Sequence, residues 1–160
     1  SGQIFAIEAR TGGVRIQSFE VIGEKDSSGA CSVYTRAGDW EGHENIQEDW
    51  ELILHSDSVA LAKGVPTSLG AFDREVAVSL GAKQSFHVWC KKELKYVQNW
   101  DEAAEGVVFG SDGAVAIYEG LSTKYLFYPK GRAKFACGIR YIATVNATAP
   151  EVNATAPEPI

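Results

Sequence analysis

The sequence predicts an all-β protein: two antiparallel sheets packed face to face in a jelly-roll-like β-sandwich of about ten short strands. Three observations predict it. Apolar side chains recur at period two along most of the chain, turn residues punctuate those runs, and no window of a dozen residues carries a clean 3.6 period. Parallel sheets would need crossover helices, which are almost absent. A closed β-barrel is the alternative architecture.

The runs themselves carry the prediction. Ile4–Glu8, Val14–Ile22 and Cys31–Arg36 read as the first strands. In Trp50–Leu54 the alternation puts Trp50, Leu52 and Leu54 on one face. Val76, Val78 and Leu80 share a face of Glu75–Leu80, and Phe86, Val88 and Cys90 share one of Ser85–Cys90. Leu94–Val97, Gly106–Phe109 and Ala114–Glu119 follow. Phe135, Cys137, Ile139, Tyr141, Ala143 and Val145 then line one side of a long final strand. Thr11-Gly12-Gly13, Asp26-Ser27-Ser28-Gly29 and Lys63-Gly64-Val65-Pro66 are turn signals. Ser111-Asp112-Gly113 lies between two apolar runs and predicts a hairpin. The best helical candidate is one turn at Asn99–Glu105, which Asn99 would cap.

Composition bounds the function. The chain has 160 residues, 45% hydrophobic and 22% charged, as expected of one folded domain. A net charge of -6 argues against nucleic acid, which needs a clustered Lys/Arg excess, and against adsorption to an anionic membrane. Lys91, Lys92 and Lys95 form one small basic group, read as a solvated strand end. No apolar run approaches the roughly 20 residues needed to cross a bilayer, so membrane insertion is not expected. Met is absent even at position 1, so the expectation is a chain that begins after processing or excision.

Residues 1–144 read as the sandwich module and 145–160 as a tail rich in Ala, Thr and Pro. The tail repeats Val-Asn-Ala-Thr-Ala-Pro-Glu, and each copy holds an N-x-[ST] acceptor, at Asn146 and at Asn153. Two such sites in an exposed repeat point to a secreted glycoprotein at the cell surface; a plain linker is the alternative. The three cysteines, Cys31, Cys90 and Cys137, allow one bridge with one thiol left over. Cys90 and Cys137 both fall on apolar strand faces. Of the three pairings, Cys90–Cys137 is the favoured one.

The order of landmarks adds a resemblance. Val14-Arg15-Ile16-Gln17-Ser18-Phe19, the run Val33-Tyr34-Thr35-Arg36-Ala37-Gly38, Gln84-Ser85-Phe86 and Ile117-Tyr118-Glu119-Gly120 occur in that order, before Gly138-Ile139-Arg140-Tyr141. Over roughly residues 3–145 the chain resembles a module that recurs, often in several copies, in large predicted secreted or surface proteins of diatoms and related stramenopile algae. The resemblance implies an extracellular β-domain used in surface architecture and brings no catalytic residues with it. Ala136 and Cys137 replace an aromatic and an Asn of that pattern, which implies a disulfide or thiol particular to this chain.

Candidate sites follow from residue type. The acidic stretch after Gly38 offers Asp39, Glu41, Glu44 and Asp49 as calcium ligands, because a hard cation takes six to eight oxygens. Its spacing does not match an EF-hand, and a solvated acidic loop is the competing reading. His43, His55 and His87 form no close pair, and His55 and His87 are expected to face solvent rather than zinc. No nucleophile-elbow or cysteine-protease context appears. Glu75, Glu93, Glu102, Glu105 and Glu119 are too scattered to read as a glycosidase pair. Trp40, Trp100, Trp89 and Tyr118 are expected in loops or on outer faces, where aromatic rings stack on sugars or anchor interfaces. The expected function is a non-catalytic structural or adhesive module that assembles with copies of itself or other surface proteins. A carbohydrate-binding module is the alternative, and a small hydrolase a further one. No cofactor is required.

Overall fold

The computed structural model describes residues 1–94, 97–98, 108–111, 113–134 and 138–143. The chain order is β1 (Gly2–Ala9), β2 (Val14–Ile22), β3 (Ser27–Ala37), β4 (Glu51–Leu61), β5 (Pro66–Ser68), β6 (Val76–Val78), β7 (Lys83–Cys90), β8 (Val97–Gln98), β9 (Val108–Ser111), β10 (Val115–Tyr125), β11 (Tyr128–Lys134) and β12 (Ile139–Ala143). Among the described residues the only helical element is a single 3-10 turn, Gln47–Asp49. The Asn99–Glu105 helical candidate and the 145–160 tail lie outside the described residues.

Two antiparallel sheets form the sandwich. The larger runs β4-β3-β7-β1-β10-β11-β8, with β9 also on β10; the smaller runs β12-β2-β5, with β6 also on β2. The hairpin predicted around Ser111-Asp112-Gly113 is the antiparallel β9–β10 pair. The core lies between the sheets. Phe19 of β2 projects from the smaller sheet between Phe86 of β7 and Phe5 of β1, at ring-centroid distances of 4.9 and 5.4 Å. Phe72 closes the group edge-on to Phe19 at 5.1 Å. Such tilted and edge-on pairs satisfy the ring quadrupoles as well as burying area.

The larger sheet is buried on both faces at its centre. Phe5, Ile7 and Ala9 enter the core, while Ile4 and Ala6 of the same strand belong to a second apolar cluster with Tyr34, Trp40, Trp50 and Phe127. That cluster is roofed by the segment 38–50 and by the Leu126–Phe127 turn that joins β10 to β11. Phe127 holds a left-handed backbone, φ 54°, which costs a non-glycine residue on the order of 1 kcal/mol and is offset by burial of its ring.

Two of the register shifts bear on the expected faces and on strand packing. Between Leu52 and Leu54, β4 carries one residue more than β3 opposite it, so Ile53 and Leu54 both turn to the core and Leu52 is left 47% exposed. The expected Trp50–Leu52–Leu54 face is therefore broken at this bulge. A second bulge lies where β10 passes β1, and Gly120 sits in it; a Cβ there would stand 1.7 Å from the Ile4 carbonyl oxygen. Leu80 is also corrected: β6 ends at Val78, and Leu80 is exposed.

The disulfide joins Cys31 to Cys90, not Cys90 to Cys137. β3 and β7 are neighbours, and Cys31 lies directly opposite Cys90 with 4.0 Å between Cα atoms. The flanking Lys91 amide donates to the Ala30 carbonyl, and the Cys90 amide donates away from β3, to Ser1. The cysteine pair thus occupies a non-hydrogen-bonded position, where antiparallel strands come closest. Cys137 lies outside the described residues.

Candidate functional site

Strand ends create a polar cleft at one end of the sandwich. It has a volume of about 600 Å3. β3 supplies Thr35, Arg36 and Ala37, the entry to β4 supplies Glu48, Asp49, Trp50 and Glu51, and Arg74, Val76, Ala77 and Gln84 complete the wall. Gln84 and Thr35 are buried and fixed: Gln84 Nε2 donates to Thr35 Oγ1 at 2.8 Å, and Thr35 Oγ1 donates to the Ser85 carbonyl at 2.8 Å.

The segment 38–50 forms one wall because its two tryptophans are buried against the outer face of the larger sheet. Trp50 Nε1 donates to the His43 carbonyl at 2.8 Å, and Ser85 Oγ donates to the Gly38 carbonyl at 2.7 Å. His43 Nδ1 meets Asp49 Oδ2 at 2.5 Å, and Arg36 Nη1 stands 4.0 Å from the same oxygen. Arg36 Nε is enclosed and has no acceptor among the described residues. Across the cleft Arg74 grips Glu51 through Nε at 3.0 Å and Nη2 at 2.5 Å. That hydrogen-bonded pairing holds the Glu51 carboxyl below its ordinary range and the Arg74 guanidinium above its own. Both groups are exposed, so the pair shapes the rim more than it stabilises the fold.

Under the roof lies His87, fully buried, with the rings of Phe127, Tyr34 and Trp50 at 4.6, 6.1 and 6.2 Å. The expectation that His87 faces solvent is overturned, because its side of β7 is covered by the 38–50 segment and the Phe127 turn. Burial pushes its pKa down to about 3, so the ring is neutral at ordinary pH. Nε2 lies 3.1 Å from Thr123 Oγ1, and Nδ1 has no hydrogen-bond partner among the described residues.

A third group crosses β3 and β4 on the outer face. Ser32 Oγ is 2.8 Å from His55 Nδ1, and His55 Nε2 is 3.0 Å from Asp57 Oδ1. The order serine, histidine, aspartate matches a nucleophilic triad in connectivity. Its surroundings do not match one. The Asp57 side chain is 97% exposed, Ser32 is buried, and none of the three lines the cleft. A triad needs a buried carboxylate, an accessible nucleophile and oxyanion donors around a reacting centre. Sequence reading missed this group because its members meet across a strand pair.

The aromatics expected to bind ligand are placed differently from one another. Trp40 is buried in the second cluster and offers no exposed ring, a correction that follows from the fold-back of the 38–50 segment. Trp89 is half-buried beside Ser32, and its Nε1 is enclosed without a partner among the described residues. Tyr118 is also half-buried; its hydroxyl donates to Glu8 Oε1 at 2.7 Å, and Lys83 Nζ lies 4.1 Å over its ring. The hydrogen bond to Glu8 raises the Tyr118 pKa. Trp100, Asn146 and Asn153 lie outside the described residues. Of the candidate calcium ligands, Asp39 is 3.4 Å from Lys83 Nζ and Asp49 is engaged by His43, while Glu41 and Glu44 are half-buried in the same segment. No group of three or more His, Cys, Asp or Glu side chains converges as a metal site among the described residues. Trp50, Arg36 and Gln84 carry strand and landmark signals in the sequence but none that marks them as site residues. Nothing in a run of period-two residues marks the end of a strand as a cleft wall.

No protein-family model matches this chain, and neither does any curated protein or solved structure.

Proposed function

We propose that this chain is a non-catalytic extracellular module that adheres to a neighbour in a surface assembly through the cleft at the end of its sandwich. One observation carries the reading: the cleft wall is a mixed field of hydrogen-bond donors and acceptors, with the Gln84–Thr35 and Arg74–Glu51 pairs held by hydrogen bonds. The buried Cys31–Cys90 disulfide supports an oxidising compartment, and no helix of the described residues is long and apolar enough to cross a membrane. The resemblance to modules of algal surface proteins supports the same setting, as do the Asn146 and Asn153 acceptors. In this reading no cofactor, nucleic acid or membrane insertion takes part.

The test is retention of the purified chain on surfaces coated with extracellular polysaccharide or protein. Retention on one of them, weakened at least tenfold by Arg36→Ala, is expected. Turnover of ester, peptide or glycoside substrates that depends on a cleft residue would overturn the reading.

A second reading is assembly of copies edge to edge. β4 favours it: it is eleven residues long, ends the larger sheet and exposes Leu52. Sedimentation equilibrium decides this reading. Association that Leu52→Lys abolishes supports it, and a monomer at all concentrations refutes it.

A further inference from the structure

We infer that the ligand of the cleft is a neutral saccharide presenting vicinal hydroxyls; the inference rests on the reading of the cleft as an adhesive site. The charge pattern selects the class. Two guanidiniums, Arg36 and Arg74, and three carboxylates, Glu48, Asp49 and Glu51, line the cleft, with Arg74 paired to Glu51 and Asp49 to His43. A phosphate or sulfate entering the cleft meets the three carboxylates. A cation or amine meets the two guanidiniums, one of which already grips Glu51. An apolar ligand meets a wall that is mostly polar. A hydroxyl group both donates and accepts, so it pairs with either kind of wall group. Adjacent hydroxyls match the planar, two-pronged geometry of carboxylate, guanidinium and amide side chains.

Two further features fit the class. The cleft volume of about 600 Å3 falls in the range of small-molecule sites, roughly 300–1,000 Å3. Arg36 lines the cleft, and its Nη1 stands 4.0 Å from Asp49 Oδ2, beyond hydrogen-bond distance, so it keeps a donor for a ligand hydroxyl. Lysine at this position keeps the charge and loses the planar fork of guanidinium donors, which separates the two contributions.

The experiment is an array of neutral, uronic-acid and sulfated oligosaccharides, followed by calorimetric titration of the hits with wild type, Arg36→Lys, Glu48→Gln and the remote control His55→Ala. Unchanged thermal unfolding certifies each variant as folded. The expected result is binding to neutral oligosaccharides, at least tenfold weaker in Arg36→Lys, several-fold weaker in Glu48→Gln and unchanged in His55→Ala. Hits confined to anionic glycans, or neutral binding that ignores both cleft substitutions, overturn the inference. A blank array with retention on protein-coated surfaces that Arg36→Lys abolishes removes the saccharide and leaves the adhesive reading. A blank array with no cleft-dependent retention on any surface removes both.

Discussion

The ring of Phe127 stands edge-on to that of His87, with 4.6 Å between centroids, and closes the outer face of the larger sheet over a neutral histidine. This contact joins the β10–β11 turn to the segment 38–50, because Trp50 packs on both rings. The same segment forms a wall of the cleft, so the state of His87 bears on the shape of the binding site.

Acid should therefore loosen the fold through His87. Its pKa is about 3 in the folded chain and 6.5 in the unfolded one, so between those values the unfolded chain binds the extra proton. Stability is complete above pH 6.5 and falls as pH drops toward 3, by about 1.4 kcal/mol per unit from this group at most. Denaturant unfolding of wild type and His87→Gln from pH 7 to 4 checks it. The variant starts less stable and should show a shallower acid loss, since other acid-sensitive groups act in both proteins.

Gly120 should tolerate no side chain. An added Cβ stands 1.7 Å from the Ile4 carbonyl oxygen, a backbone atom in a central strand pair that cannot yield locally. Gly120→Ala is expected to lose at least about 2 kcal/mol, read as a fall in the urea midpoint.

The bridge should map to Cys31 and Cys90. Mass spectrometry of non-reduced peptides is expected to find that link, with no Cys90–Cys137 species. Cys31→Ala with Cys90→Ala should cost about 2–4 kcal/mol, because the bridge closes a chain separation of 59 residues in the unfolded state.

Ser32 should be chemically quiet. A fluorophosphonate probe is expected to leave it unlabelled, because Ser32 is buried and Asp57 is solvated. Labelling that His55→Ala abolishes would show a working nucleophile and revive the hydrolase alternative.

Much of the sandwich was legible in the sequence because its core faces alternate. Phe86, Val88 and Cys90 enter the core together, as do Val76 and Val78. What stayed hidden depends on contacts between distant segments. Alternation assigns each strand one apolar face, but β1 and β7 are covered on both, and only the fold-back of 38–50 buries Trp40 and His87. The β4 bulge shifts the phase by one residue, which no period reveals in advance. Strand order placed Cys31, not Cys137, opposite Cys90. β5 escaped notice because Pro66–Ser68 is three residues long and polar, and β11 because Pro129 and Gly131 interrupt its pattern.

The cleft carries the central claim, and the most direct measurement of it is backbone amide chemical shift mapping as a bound ligand from the oligosaccharide array is titrated in. Shifts concentrated at Arg36, Glu48, Asp49 and Gln84 are predicted, with the outer residues of β4 unmoved. Shifts that gather along β4 or around Trp89 and leave those four amides in place would contradict the account.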